Sequence, residues 1–164
     1  MIEFFDINGN KVMLCFERDA FPLRAWHVLV LSRYQGNWLL TKHKERGLEF
    51  PGGKLEQKES VEDAAFREVY EETGGIVKNI YYIGEYYVND EKNGPFVKAI
   101  CFADIEKLES KKDYLETSGP IIKSNNLKNE LKNSEYSFIM KDKIVELSLE
   151  AIEKHGLLNK GDKE

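Results

Sequence analysis

The apolar positions of this chain fall mostly into short runs separated by turn signals, and two stretches carry the longer period of a helix. Glu3 to Ile7 and Lys11 to Phe16 flank Asn8-Gly9, a pair that closes tight hairpins because both residues accept positive φ. Ala25 to Ser32 reads as a buried strand, with Trp38 to His43 as its neighbour across a Gly36-Asn37 turn. Further strand-like stretches lie near Lys78 to Val88 and Phe96 to Ala103. Ile105 to Lys112 reads as a helical turn or loop, and Asp113 to Lys132 as the least regular part. Asp142 to His155 closes the chain as an amphipathic helix, with Ile144, Val145, Leu147, Leu149 and Ile152 apolar and Gly156 as the stop. No repeat, low-complexity tract or Pro-rich linker intervenes. A length of 164 residues suits one domain, 1–164, with a substantial core. Strands dominate over helices, which predicts an α+β fold.

The other helical stretch carries an energetic oddity. Ser60 followed by Asp63 resembles a capping box, Val61 to Thr73 contains no Gly or Pro, and Gly74 is a natural C-terminal stop. At about 100° per residue, Glu71, Glu68 and Glu72 share one arc, while Val69, Phe66, Thr73 and Ala65 point to the neighbouring side. Glu68 and Glu72 are four apart and of like sign, at a cost of roughly 0.2–0.5 kcal/mol. Glu71 and Glu72 also sit in the last turn, where the helix dipole disfavours anions by about 0.3–1 kcal/mol. A solvated acidic face explains an ordinary Glu pair. Three acids in one arc, all at a disadvantage, suit a bound cation that would reverse each penalty.

Upstream, Phe50-Pro51-Gly52-Gly53 is a turn whose glycines permit close approach of backbone carbonyls and amides to a metal or a phosphate. Together these residues match the Nudix box, G-x5-E-x7-R-E-U-x-E-E-x-G-U, where U is a bulky aliphatic residue. Gly53 opens it, and Glu59, Arg67, Glu68, Val69, Glu71, Glu72 and Gly74 fall in register. The departure is Gly75, where the last U is expected; Ile76 is the residue expected to take over its packing. WLLTKHKERGLEFPGGK is similar to the strand and loop that lead into the box in MutT-type members. FADIEKLE, DYLETSGP and YSFIMKD resemble segments of the bacillus-type antimutator triphosphatases of the same family, so the likeness covers nearly the whole chain.

The resemblance implies an α/β/α sandwich around a mixed sheet and a set of roles. Glu68, Glu71 and Glu72, helped by the Gly52 carbonyl, would hold Mg²⁺ or Mn²⁺, the hard ions that carboxylates suit. Glu59 would support a further ion or brace the loop. Arg67 would be structural, pairing with a carboxylate of the box, and Gly53 would belong to the same frame. The general base would be Glu68 or Glu116, the latter in the irregular LETSGP segment where an ordinary loop Glu is the plain alternative. Lys42, His43 and Arg46 precede the turn and could hold outer phosphates, or form a solvated basic loop. Phe50 could touch a purine, or be a core Phe. The segment from Ser124 to Phe138 would contribute to the base pocket, with Asn125, Asn126, Tyr136 and Phe138 as candidates. His27 reads as strand packing.

Composition narrows the partners. Hydrophobic residues make up 41% and charged residues 32%, and no apolar run approaches the roughly 18–20 residues that span a bilayer. The start, MIEFFDINGN, lacks the basic flank and apolar core of a secretion signal, so a cytoplasmic protein is the default. Cys15 and Cys101 lie far apart in apolar settings and suit buried free thiols. A net charge of −5 argues against a broad nucleic-acid surface and against binding of duplex DNA, but not against a short phosphorylated ligand that arrives with its own Mg²⁺. The chemistry is water attack on phosphorus, since no Ser-His-Asp set or activated Cys stands at comparable spacing. The resemblance implies a pyrophosphohydrolase of purine nucleoside triphosphates, with dGTP and 8-oxo-dGTP foremost, in nucleotide-pool cleansing. Removal of pyrophosphate from RNA 5′ ends is a second activity it implies. A non-catalytic Nudix-like binding domain is the alternative, but such domains typically lose box acids that this chain retains.

Overall fold

The computed structural model describes residues 1–158. Among these residues, nine strands form one mixed sheet. They are β1 (Ile2–Phe5), β2 (Lys11–Cys15), β3 (Ala25–Tyr34), β4 (Asn37–His43), β5 (Gly47–Glu49), β6 (Gly52–Lys54), β7 (Gly75–Asn89), β8 (Phe96–Leu108) and β9 (Thr117–Lys123). Helix α1 (Val61–Thr73) covers one face; α2 (Leu127–Glu130), α3 (Phe138–Lys141) and α4 (Lys143–Lys154) lie with the other. The strand order is β1-β2-β7-β8-β3-β4-β5, with β6 beside β3 and β9 beside β4. Only β3 and β8 pair in parallel among the described strands. The predicted α/β/α sandwich with a mixed sheet is therefore the fold.

Alternation along the strands separates two cores. Leu29 and Leu31 of β3, Trp38 and Leu40 of β4, and Ile100 and Phe102 of β8 pack with Ile144, Leu149 and Ile152 of α4. Val28 and Val30, Leu39, and Ala99, Cys101 and Ala103 pack with Val61, Ala64, Ala65 and Val69 of α1. Burying each of the larger aliphatic side chains is worth about 1.5–3 kcal/mol. The small Ala64 and Ala65 let α1 lie close against the sheet. Both cysteines are free thiols; Cys101 is buried and Cys15 half-buried. No helix among the described residues is long and apolar enough to cross a membrane.

The hairpin, the β3–β4 pair and the last helix form as their patterns predict. Ile105 to Lys112 does not form a helical turn or loop throughout: β8 runs on to Leu108 because β7, starting at Gly75, offers it a partner as far as that residue. The irregular-looking Asp113 to Lys132 holds β9, which adds to the edge of β4. Its Gly119-Pro120 pair hid a strand that alternation alone does not reveal.

Candidate active site

Strand β3 changes partner along its length, and this builds the site. Ser32 to Tyr34 pair with β4, whereas His27, Val28 and Leu29 pair with Lys54, Gly53 and Gly52 of β6. The segment after Phe50, expected as a turn, is therefore a short strand at Gly52–Lys54, laid against β3 because His27 to Leu29 offer it a partner, and Gly53 comes to lie beside Glu68 of α1. A Cβ on Gly52 would stand 2.3 Å from the Val28 carbonyl oxygen, and one on Gly53 would stand 2.5 Å from Glu68 Oε1. Glycine is needed at both because backbone and carboxylate approach so closely. A cavity of about 730 Å³ opens there, lined by Gly52, Gly53, Lys54, Glu68, Glu71, Glu72, His27, His43, Arg46, Leu115 and Glu116.

Helix α1 delivers its acids as the sequence implies. Ser60 Oγ accepts from the Asp63 N–H, the Asp63 carboxylate accepts from the Ser60 N–H, and Gly74 closes the helix at φ 75°. The anions at its C-terminal end are offset by a group far away in sequence. Lys111 Nζ donates to the Tyr70 and Glu71 carbonyls at 3.2 and 3.0 Å, supplying the cation that the last turn lacks. Thr41 and Thr117 donate their hydroxyls to the Glu72 carbonyl at 3.0 and 3.1 Å, fixing the helix end to β4 and β9.

Arg67 organises the carboxylates. Its guanidinium meets Glu59 through two bonds of 2.7 and 2.9 Å, Glu68 Oε1 at 2.8 Å and Glu71 Oε2 at 3.2 Å, and it donates to the Lys54 carbonyl at 2.9 Å. The pairing lowers the Glu59 pKa and raises that of Arg67. Glu72 is placed differently: its Oε1 accepts the Gly52 N–H at 3.0 Å. Burial pushes Glu72 well above the usual carboxylate range, against the Gly52 N–H, and the charges of Glu68 and Glu49 add to the rise. Burial also raises Glu68, opposed by Arg67.

Among the described residues, no three acid or imidazole groups already converge as a finished metal cage. Glu68 and Glu71 turn one oxygen each to Arg67, and Glu72 turns one to the Gly52 amide. The donor set nonetheless fits a hard divalent ion. It is all oxygen, it carries more negative charge than Arg67 neutralises, and its buried members are driven toward protonation, a cost that a cation would remove.

The other candidates separate into those at the cavity and those away from it. His43 Nδ1 accepts the backbone N–H groups of Glu45 and Arg46 at 3.2 and 3.1 Å, which leaves Nε2 to carry the proton of the neutral ring. That Nε2 stands 3.9 Å from the exposed Glu116 carboxylate. Arg46 is oriented by two bonds to Glu49, at 3.1 and 2.8 Å. Lys42 lies outside the cavity, because strand alternation turns it to the opposite sheet face from Thr41 and His43. Phe50 is 2% exposed and packs edge-on against Trp38 at 5.7 Å, so it is a core residue and not a base contact. Phe138 is half-exposed at the start of α3 and does not line the cavity. Asn125 accepts from Arg33 at 2.7 Å, Asn126 accepts from the Asn129 amide, and the buried Tyr136 hydroxyl donates to Glu130; these three are also spent elsewhere.

Sequence reasoning missed His27, Lys54 and Leu115 in the cavity wall, and Glu49 beneath Arg46. His27 hid in an apolar strand. The one clue is that alternation puts it on the face of Leu29 and Leu31 at the strand's open end. Its ring stands 5.4 Å from Phe96, and burial lowers its pKa to about 4, helped by Lys98 and Lys54. Gly75 also differs from expectation. Ile76 is only half-buried and belongs to neither core, while a Cβ at Gly75 would stand 2.9 Å from Val69 Cγ1 and 3.4 Å from Ile105 Cγ2. Val69 and Ile105 have filled the space that the bulky aliphatic residue would take.

Comparison with known proteins agrees with this geometry. The profile of the NUDIX domain matches residues 21–114. A protein of Bacillus subtilis (strain 168), provisionally named as the 8-oxo-dGTP diphosphatase YtkD, is 47% identical over 156 residues, which cover 95% of this chain and 98% of that one. The crystal structure of the Bacillus subtilis pyrophosphohydrolase BsRppH, in a variant with one glutamate replaced by alanine, superposes with a TM-score of 0.88 at 46% identity, covering 96% of this chain and 99% of that one. A NUDIX hydrolase from Nitrosomonas europaea, at 18% identity and a TM-score of 0.62, shares the fold over 81% of this chain and 90% of its own.

Proposed function

The chain belongs to the Nudix family of hydrolases and is a pyrophosphohydrolase, and on that premise we propose that it splits purine nucleoside triphosphates into the monophosphate and pyrophosphate, with dGTP and 8-oxo-dGTP as preferred substrates. The observation that carries this is one cavity of about 730 Å³ that joins a carboxylate floor to Lys54, His43 and Arg46. Its volume is that of a small-molecule site, and its two charges suit a polyphosphate that arrives with a divalent cation. The name of the Bacillus subtilis relative supports the choice of base.

Glu68, Glu71, Glu72 and the Gly52 carbonyl are the groups that would hold Mg²⁺ or Mn²⁺. Such an ion, when bound, neutralises charge on phosphate oxygens and acidifies water. The protein's own groups supply the rest. Arg46, held rigid by Glu49, and the Nε2–H of His43 face the cavity as donors to phosphate oxygens. Water attacks phosphorus, the P–O–P bond breaks, and pyrophosphate leaves with the bridging oxygen. The water's proton passes to a carboxylate, for which Glu68 and Glu116 are the two candidates at the cavity. Arg67 holds Glu59, Glu68 and Glu71 in place without reaching the substrate.

A panel of dGTP, 8-oxo-dGTP, 5′-triphosphorylated RNA, ADP-ribose and diadenosine polyphosphates, assayed with Mg²⁺ and with product analysis, tests the proposal. Preferred cleavage of ADP-ribose would sink the triphosphate reading, and inertness on every substrate would favour a nucleotide-binding domain.

A further inference from the structure

The segment between β8 and β9, residues 109–116, brings Leu115 and Glu116 to the wall of the catalytic cavity. Neither side chain is held at its own end. Leu115 is 51% exposed, and the Glu116 carboxylate reaches His43 Nε2 only at 3.9 Å. Their place is therefore set by the backbone. Leu115 stands at φ 60°, a left-handed conformation that a residue with a bulky side chain keeps only where its surroundings impose it. Downstream, the Glu116 carbonyl accepts the Lys44 N–H at 3.2 Å, and the Thr117 N–H donates to the Tyr114 carbonyl at 3.3 Å. Upstream, the tie is Lys111. The chain leaves the sheet after the Glu109 N–H meets the Gly74 carbonyl at 2.9 Å. Two residues on, the Lys111 ammonium reaches back to the Tyr70 and Glu71 carbonyls. It stands 4.6 Å from the centroid of the Tyr70 ring and 5.6 Å from that of Tyr114, within reach of both π faces. The Lys111 N–H donates to the Tyr114 hydroxyl at 3.1 Å.

We propose that Lys111 is a positioning residue for the hydrolysis: it joins the end of α1 that carries Glu71 and Glu72 to Tyr114, and so fixes Leu115 and Glu116 at a set place over the cavity. The proposal rests on the reading of this cavity as the hydrolytic site, and within that reading it makes Glu116 the carboxylate that takes the water's proton. Two groups on separate stretches of chain must stay in register for such a transfer, and a displacement of about 1 Å costs rate steeply. The acids of α1 are braced by Arg67, whereas the exposed Glu116 side chain has no brace of that kind. Lys111 supplies it through the backbone. A lysine placed only to offset the helix dipole would need the two carbonyls and nothing more. Here the same residue also holds Tyr114, the neighbour of Leu115, through its ammonium and through its N–H.

The test is a double-mutant cycle between positions 111 and 116, run with dGTP and Mg²⁺. K111M is expected to lower kcat about tenfold, with KM and the Mg²⁺ affinity read by titration calorimetry both within about twofold of wild type. K111R keeps a charge and several donors and should restore at least about half of kcat. In an E116Q background the same K111M change should cost less than about twofold, because the position of a missing carboxylate no longer matters. Equal losses in both backgrounds, or Mg²⁺ binding weakened in step with kcat, would overturn the proposal in favour of a plain role at the helix end. Unchanged kcat in K111M or in E116Q would overturn it as well. Hydrogen exchange of the metal-free protein keeps this proposal apart from the hydrolytic reading. The Leu115 and Thr117 amides, bonded to Asp113 and to the Tyr114 carbonyl, should exchange about tenfold faster in K111M, with those of α1 unchanged. If wild type cleaves no nucleotide but this exchange difference is found, Lys111 holds the segment and the hydrolytic reading falls. Unchanged exchange would overturn the tie itself, whatever the turnover.

Discussion

Arg67 grips Glu59 through two parallel bonds, Nε to Oε2 at 2.7 Å and Nη2 to Oε1 at 2.9 Å, across eight residues of sequence. A planar guanidinium matches a carboxylate in this way and an ammonium does not. The pair ties the loop before α1 to the helix face that carries Glu68 and Glu71. Lysine at position 67 should therefore keep a positive charge yet release Glu59. R67K is expected to lower stability by about 1–3 kcal/mol, the cost of breaking a partly buried charged network, and to lower kcat about tenfold or more. Chemical denaturation alongside steady-state kinetics checks both.

Glu72 is the acid most strongly driven toward protonation by its burial. An amide there can still accept the Gly52 N–H, so E72Q should keep the fold and hold or raise the melting temperature without added metal. Its Mg²⁺-dependent turnover should fall by about a hundredfold or more, as the loss of a charge-stabilising group does. Unchanged turnover would remove Glu72 from the chemistry. E116Q is expected to spare metal binding and lower kcat alone, which isothermal titration with Mg²⁺ and single-turnover rates separate.

The glycines of the site carry different constraints. A Cβ at Gly53 meets the end of a flexible side chain, Glu68, whereas a Cβ at Gly52 meets the Val28 backbone. G53A should fold and lose activity through a displaced Glu68. G52A should be the more destabilised of the two. Restoring the bulky aliphatic residue at position 75 should harm this chain. G75I is expected to cost about 1–3 kcal/mol by overpacking against Val69 and Ile105, measurable as a lower midpoint in urea.

Asp142, which caps α4, has its carboxyl pushed from 3.8 up to about 6, chiefly by burial and against the Ile144 N–H and Lys98. The folded protein therefore holds this proton more tightly than the unfolded chain. The associated stability is fully present below pH 4 and is lost as pH rises through 6. D142N keeps a cap and removes the titration, so its stability relative to wild type should improve by up to roughly 2–3 kcal/mol between pH 4 and pH 8. His27 has the opposite sign: its pKa falls from 6.5 to about 4, so its contribution is present above pH 6.5 and lost as pH falls through 4. NMR titration of the His27 ring should find it neutral at pH 6.

Local rules wrote much of this molecule into its sequence. Ser60, Asp63 and Gly74 define α1 through bonds that span three or four residues, and helical period alone sets Glu68, Glu71 and Glu72 on one arc. The hairpin at Asn8-Gly9 follows from backbone freedom that few residues have, Gly9 standing at φ 78°. These features need no distant partner, and the α1 acids with Gly74 are among the residues that carried the family resemblance.

Tertiary structure decided what depends on long-range pairing. The edge of β4 makes a strand of the segment around Gly119-Pro120, and a change of partner along β3 brings Gly53 beneath Glu68. Position 111 supplies the cation for the end of a helix that closes at position 73, and which face of β4 meets α1 parts His43 from Lys42. Phe50 goes to the core because Trp38 is there to receive it. The acids were legible along the chain, because a helix is a local object. The sheet determined what surrounds them, because register joins residues that the chain keeps far apart.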